Sequence, residues 1–320
     1  PVASVRLVGV LPHLDRPFEY AVTPETAAAG PGMRVRVRFS GKDTEGIVLE
    51  RCAEPSTDRP LAPLHRLVSE DVVVPPAMMR VCEDVAARCA GTVGDVLRLA
   101  LPPRHARAEK ADRAAEEKEA EAAPVEGPVD DPGDAATDAE PAIAAPRPGD
   151  RYTGLAALLA RAGSPDGPVP GASLWTVVAA DAIGDLEPEL GALVVAPDQR
   201  DVARLSRVLT ERGIAHEILA GTEGPEKRYR TFRRILRGAT RVVLGNRSAA
   251  FAPVRNLALA ICWDEADDLL EEPRAPYPHT RTVLQCRSAE ERCALLFLAA
   301  SDSVTLRALA DHGYLARLEP

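Results

Sequence analysis

The stretch Arg241–Asp268 constrains this chain most. Arg241-Val242-Val243-Leu244 is a short apolar run closed by Gly245, and Leu257-Ala258-Leu259-Ala260-Ile261-Cys262-Trp263 is a second. The acids Asp264-Glu265-Ala266-Asp267-Asp268 follow the second run at once. A strand that is apolar on both faces must be covered on both, which favours a parallel sheet flanked by helices. Acids at the carboxyl end of such a strand stand where open α/β sheets place ligands, and where nucleotide hydrolases hold magnesium and orient water. The same residues also fit a helix start, with Asp264 as N-cap and the further acids favoured by the helix dipole.

Upstream and downstream of this stretch, residues 151–320 alternate apolar runs with amphipathic segments. Strands are expected at Leu174–Ala179, Ala192–Ala196, His216–Leu219, Arg241–Leu244, Leu257–Trp263 and Ala294–Ala299, with helices at Asp201–Arg212 and Glu226–Arg237. That order predicts a doubly wound parallel sheet. In the second helix Tyr229, Phe232 and Leu236 form an apolar stripe, while Lys227, Arg228, Arg230, Arg233, Arg234 and Arg237 cover much of the remainder. Six cations with no acid after Glu226 fit either a backbone-phosphate patch or a solvated face.

A working nucleotide hydrolase needs a glycine loop, a lysine and a helix N-terminus to cradle phosphates. The lysines are Lys42, Lys110, Lys118 and Lys227, and none lies in G-x-x-x-x-G-K-[ST]. With a strand at Leu174–Ala179, the loop would fall at Ala180–Asp185, which offers one glycine, two acids and no cation. Only seven residues, Pro188 among them, then separate Gly184 from the strand at Ala192, too few for the helix that follows such a loop. On this reading ATP and magnesium are not cofactors of the segment.

Residues 1–103 read as a compact β-rich domain with strands at Val5–Val10, Phe18–Val22, Met33–Phe39 and Glu45–Arg51. In the third, Val35, Val37 and Phe39 alternate with Arg34, Arg36 and Arg38, setting guanidiniums about 7 Å apart along one face. Such a row matches a nucleic-acid backbone, or an ordinary wet face. A helix from Pro75-Pro76 to Ala90 turns Val81, Cys82, Val85 and Cys89 inward and stops at Gly91.

Between the two halves, residues 104–150 hold 6 Lys+Arg and 13 Asp+Glu, a net of −7. The chain as a whole is at −9, so everything else is close to neutral, and acidity does not exclude nucleic acid as a partner of the folded parts. This segment is too poor in large apolar residues to offset its ordering entropy and is expected to be a disordered linker, with a short helix at Arg107–Ala123. The six cysteines show no C-x-x-C pair and suggest neither a zinc site nor an oxidising compartment. No stretch reads as a signal peptide or membrane span, so a cytoplasmic protein without membrane contact is expected.

Several of these motifs together resemble the family of primosomal protein N′, the replication restart protein PriA, in its degenerate actinobacterial form. Pro17-Phe18-Glu19-Tyr20, then Gly32 through Phe39 and Gly41, and Gly94-Asp95-Val96-Leu97 closing in Leu101-Pro102-Pro103 are similar to the family's N-terminal domain. Gly245-Asn246-Arg247-Ser248-Ala249-Ala250-Phe251-Ala252-Pro253 is similar to a helicase motif of the family, and Ala196-Pro197-Asp198 stands at another. Trp263-Asp264-Glu265-Ala266-Asp267 falls at the D-E-x-H position, with aspartate in place of histidine, and Pro276–Arg281 follows the aromatic loop without its aromatics. Ala300-Ser301-Asp302 stands at the altered coupling motif, and no winged-helix segment is recognisable.

The resemblance implies an N-terminal domain at 1–103 that binds the 3′ end of a nascent strand, an acidic linker at 104–150, and a P-loop-NTPase-like first helicase lobe at 151–320 that lacks the phosphate loop. It implies a 3′-terminal pocket of Phe18, Glu19 (glutamate for the usual aspartate), Gly41 and His65 (more often lysine). DNA-backbone contacts would fall to Arg34, Arg36, Arg38, Arg228 and Arg247, and a degenerate catalytic pair to Asp264 and Glu265. The implied partners are forked and single-stranded DNA, primosome proteins, single-stranded-DNA-binding protein and the machinery that loads the replicative helicase. The family's second helicase lobe and zinc cysteines would lie beyond Pro320. The expected function is fork recognition in replication restart with the motor lost. An ATP-driven 3′→5′ helicase and a scaffold without DNA contact are the alternatives.

Overall fold

A computed structural model describes residues 1–112, 173–219, 221, 224–301 and 303–317. The N-terminal part is an antiparallel sheet of five strands: β1 (Val2–Leu7), β2 (Pro17–Ala21), β3 (Met33–Phe39), β4 (Lys42–Cys52) and β5 (Leu64–Val72), in the order β2-β1-β4-β3-β5. The fifth strand was not expected; its alternation is interrupted by Arg66 and Glu70-Asp71. Strong twist brings the sheet's ends together, where the Ala21 amide donates to the Ala62 carbonyl (2.9 Å) and Ala21 bridges to Pro63. The enclosed core is Val5, Tyr20, Val35, Val37, Val48 and Leu64, with Phe18 and Phe39 at its margin. The β3–β4 hairpin turns in two residues, Ser40 (φ 48°) and Gly41 (φ 77°), both left-handed as a type I′ turn requires.

Two helices close this part. α1 (Pro76–Arg88) has Pro at its first turn, and α2 (Val93–Ala100) is capped by Thr92, whose hydroxyl accepts the Asp95 amide. Residues 106–112 are also helical, with Ala108 and Glu109 buried. The helix expected from Arg107 is present as far as residue 112, but 104–112 packs into the fold instead of standing in a disordered linker; residues 113–150 of the expected linker lie outside the described residues.

Among the described residues the second part holds five parallel strands, β6 (Gly191–Val195), β7 (Glu217–Leu219), β8 (Val242–Gly245), β9 (Leu257–Trp263) and β10 (Ala294–Leu298), ordered β10-β9-β6-β8-β7. Five α-helices accompany them among the described residues: α3 (Leu174–Gly184), α4 (Gln199–Glu211), α5 (Pro225–Leu236), α6 (Thr280–Glu291) and α7 (Val304–Asp311). Successive strand residues enter opposite cores, as pleating demands. Val194, Leu244 and Ile261 pack with Trp175 and Val178 of α3 and Leu205 of α4. On the other face Leu193, Val243 and Cys262 share one cluster with Ile235 of α5, Leu284 of α6, and Val81, Val85 and Leu97 of α1 and α2. The N-terminal helices thus cover the second face of the parallel sheet, and one core runs through both parts. At the junction a Cβ on Gly91 would lie 2.1 Å from the Pro276 side chain, so only glycine allows this approach.

One sequence expectation is overturned here. Leu174–Ala179 is not a strand but the start of α3, an 11-residue helix. The helix said to be missing is present, and Ala180–Asp185 is its last turn and cap instead of a loop. A strand and phosphate loop ahead of α3 would lie outside the described residues.

Candidate nucleic-acid interface

At the open margin of the N-terminal core, Phe18 of β2 meets Phe39 of β3 edge to face, with centroids 4.8 Å apart. The guanidinium of Arg16 stands 4.8 Å above the Phe18 ring. Two aromatic rings and a cation at a rim suit a nucleobase and its phosphate, since every base offers a π-face. The sequence singled out Phe18 but neither Arg16 nor Phe39. The cation before Pro17 and the inward parity of Phe39 were the available signals.

Of the other residues expected in the pocket, Gly41 and His65 stand at the β3–β4 hairpin, and Glu19 is held elsewhere. Gly41 is at the hairpin's tip, with no atom within 4 Å of where a Cβ would stand, so its turn conformation accounts for glycine there. His65 Nδ1 is 3.0 Å from Asp43 Oδ1, just past the tip. That hydrogen bond is the main influence holding Asp43 below the usual carboxylate range; Arg36 and Arg66 add weaker attraction. Glu19 follows Phe18 on β2 and so faces the other way; its two oxygens accept the Ser56 amide at 3.2 and 2.9 Å. One amide leaves further lone pairs on that carboxylate.

The arginine row of β3 is not uniform, and the expectation is corrected for Arg34. It is 2% exposed, sits 3.4 Å from Glu45 and donates to the Pro102 carbonyl, so no phosphate reaches it. Its outward face is covered because the α1–α2 layer lies over this end of the sheet, where its register partner Ile47 is fully buried. Arg36 is half-buried and shares Glu45 at 3.7 Å; Arg38 is exposed.

The cations of α5 are also reassigned. Arg233 is 1% exposed, with Nε 2.9 Å from Asp71 and Nη1 2.6 Å from Asp112. Arg237 reaches Asp71 at 3.2 Å, and Tyr229 donates to Glu109 at 3.3 Å. Arg234 and Arg230 pair with Glu217 and Glu226. Much of this face is therefore an internal joint with the N-terminal part. Two of its acids, Glu109 and Asp112, come from the segment read as a free linker. Arg228 differs: burial first, then the neighbouring Arg274, holds its guanidinium below the usual range. Arg247 donates to Glu272 (3.1 Å), which also accepts from Arg274 (3.1 Å). Arg228 and Arg247 thus both stand near Arg274, two having been expected on separate motifs.

At the carboxyl edge of the parallel sheet two of the acids, Glu265 and Asp267, are committed within the protein. Glu265 is 1% exposed, forms an ion pair with Arg281 at the start of α6, and accepts the Ser303 hydroxyl at 2.6 Å. Asp267 caps the 3-10 turn Asp268–Leu270 through the Leu269 amide. Burial, then the Asp267 and Asp201 carboxylates, pushes the Asp264 carboxyl up. Trp263 stacks on Trp175 of α3 at 4.7 Å. Among the described residues no group of three His, Cys, Asp or Glu could hold a metal ion, and no helix is long and apolar enough to cross a membrane.

Residues 7–102 match the family model described as a 3′DNA-binding domain (3′BD), which places the rim of Phe18 and Phe39 in a domain of that class. Two curated relatives agree over nearly the whole chain. The probable replication restart protein PriA of Mycobacterium tuberculosis is 40% identical over 308 residues, 95% of this chain and 45% of the relative. That of Mycobacterium leprae is 39% identical over 307 residues, 95% of this chain and 46% of the relative. The replication restart protein PriA of Synechocystis is 34% identical over 120 residues, 37% of this chain. The chain is thus similar over 95% of its length to replication restart proteins PriA, and it spans about half the length of those relatives.

Proposed function

We propose that this chain binds DNA in replication restart, seating the 3′ end of a nascent strand at an abandoned fork in its N-terminal domain. The match of residues 7–102 to a 3′DNA-binding domain carries this reading. The rim chemistry supports it: Phe18 and Phe39 offer stacking surface and Arg16 a phosphate contact, while Glu19, on the other face of β2, keeps acceptor capacity that a terminal 3′-hydroxyl reaches only by turning round the strand. Forked DNA ending in a 3′-hydroxyl is expected to bind more tightly than the same fork ending in a 3′-phosphate, whose charge Glu19 repels. Anisotropy titrations of the two forks check this, and equal affinities would overturn the pocket. The partners in this reading are forked and single-stranded DNA, primosome proteins, single-stranded-DNA-binding protein and the loading machinery of the replicative helicase.

The helicase-like part acts, in the same reading, as a platform and not as a motor. No lysine stands in a G-x-x-x-x-G-K-[ST] motif, and the glutamate that would orient water is held by Arg281 and Ser303. No phosphate release above background is expected with ATP, magnesium and forked DNA. Release that disappears in Asp264→Asn would favour the alternative, an ATP-driven 3′→5′ helicase.

A further inference from the structure

We infer that the outer face of β3 and β5 is a phosphodiester track, formed by Arg36, Arg38 and Arg66, for the strand whose 3′ end occupies the rim. This rests on the proposed 3′-end reading and extends it from the terminal nucleotide to the nucleotides behind it. Arg36 and Arg66 are direct register partners across the antiparallel β3–β5 pair, so their side chains leave the sheet on the same face. Like charges directly opposite one another destabilise a sheet, and an anion between them reverses the sign. Arg38 lies two residues along β3 on that same face, next to the hairpin that supports Phe39.

The acids on this face are already engaged. Asp43, the register partner of Arg38, is taken by His65 at 3.0 Å, and Glu45 is shared between Arg34 and Arg36. Arg38 and Arg66 are exposed and make no salt bridge with any described residue. The track also has a defined end, because Arg34, next in the row, is roofed by Pro102. Phe39 lies on the opposite face of β3 from Arg38, so the strand passes round the Ser40-Gly41 tip before it runs along β3 for two arginines, with Arg66 on the neighbouring strand.

The test is a salt titration of forked DNA binding by the whole chain and by the R36Q/R38Q/R66Q variant, each with 3′-hydroxyl and 3′-phosphate ends. Each phosphate contact contributes about 0.7–0.9 to the slope of log affinity against log salt. The variant is expected to lose roughly 2–3 from that slope while keeping its preference for the hydroxyl end. Because Arg36 pairs with Glu45, the R38Q/R66Q variant guards against a folding effect, and it should lose roughly 1.4–1.8. A slope unchanged in both variants overturns the track while leaving the 3′-end reading standing. A wild-type chain that binds forked DNA without any end preference, yet loses slope in both variants, supports the track and removes the pocket. Failure of the wild-type chain to bind DNA overturns both.

Discussion

Arg233→Ala is expected to lower folding stability by about 3 kcal/mol, toward the lower end of the range for breaking a buried ion pair because its acidic partners are partly exposed. The Arg233 guanidinium bridges Asp71 of β5 and Asp112 of the 106–112 helix, and its removal leaves Asp71 to Arg237 at 3.2 Å and Asp112 to Arg230 at 3.6 Å, with nothing among the described contacts joining the two acids. Arg204→Ala is the comparison: its pair with Asp201 on α4 is exposed and should be worth less than about 1 kcal/mol. Urea unfolding of both variants checks this; equal midpoints would show that α5 does not hold the N-terminal part in solution. The joint is also acid-sensitive. Burial pushes the Asp71 and Glu109 carboxyls up, but Arg233 and Arg237 on the first, and Arg104 and Ser69 on the second, outweigh it and hold both below their usual values. A depressed folded-state value means the contribution is complete above the unfolded carboxylate range, about 3.9–4.3, and is lost as pH falls through the folded values.

Glu265→Ala is expected to have a comparable effect, about 3–5 kcal/mol, because Arg281 would be left without its carboxylate and Ser303 without its acceptor beneath the end of β9. Glu265→Gln, which retains an acceptor for Ser303, should lose less. A glutamate serving only to orient water would behave in the opposite way, leaving the fold intact and removing turnover. The chain's two tryptophans, Trp175 and Trp263, are stacked beside this residue, so their emission during unfolding reports on this edge directly. An alanine variant with the wild-type midpoint would mean that the Arg281–Ser303 anchorage is not formed.

What was legible in the sequence was what depends on neighbours along the chain. The run Leu257–Trp263 is a strand to the residue, because seven apolar positions in succession, ending in acids, suit a doubly covered strand. The strand Met33–Phe39 followed from the strict alternation of Val35, Val37 and Phe39 with Arg34, Arg36 and Arg38, whereas the next strand begins at Lys42 and not at Glu45. Leu174–Gly184 was misread because Trp175, Thr176, Val178, Ala179, Ala180 and Ile183 are buried nearly all round the helix. Periodicity cannot separate such a helix from a buried strand, and Thr176-Val177-Val178 tilted the choice towards β. That one error moved the expected phosphate-loop position by a whole element.

The cationic surfaces failed for a different reason. Arg34 finds Pro102 across 68 residues and Arg233 finds Asp71 across 162, and no local pattern distinguishes an arginine with a distant partner from one in water. Phe18 and Gly41 were singled out by resemblance, yet Arg16 and Arg66, which complete the rim and the row, lie outside the motif. Their significance is visible only when β2, β3 and β5 are brought side by side.

The core passes unbroken from α1 and α2 into the parallel sheet. The aromatic rim and the acidic edge of β9 are therefore carried by parts that share one packed interior among the described residues, so a substitution that loosens α1 or α2 is expected to weaken both parts together.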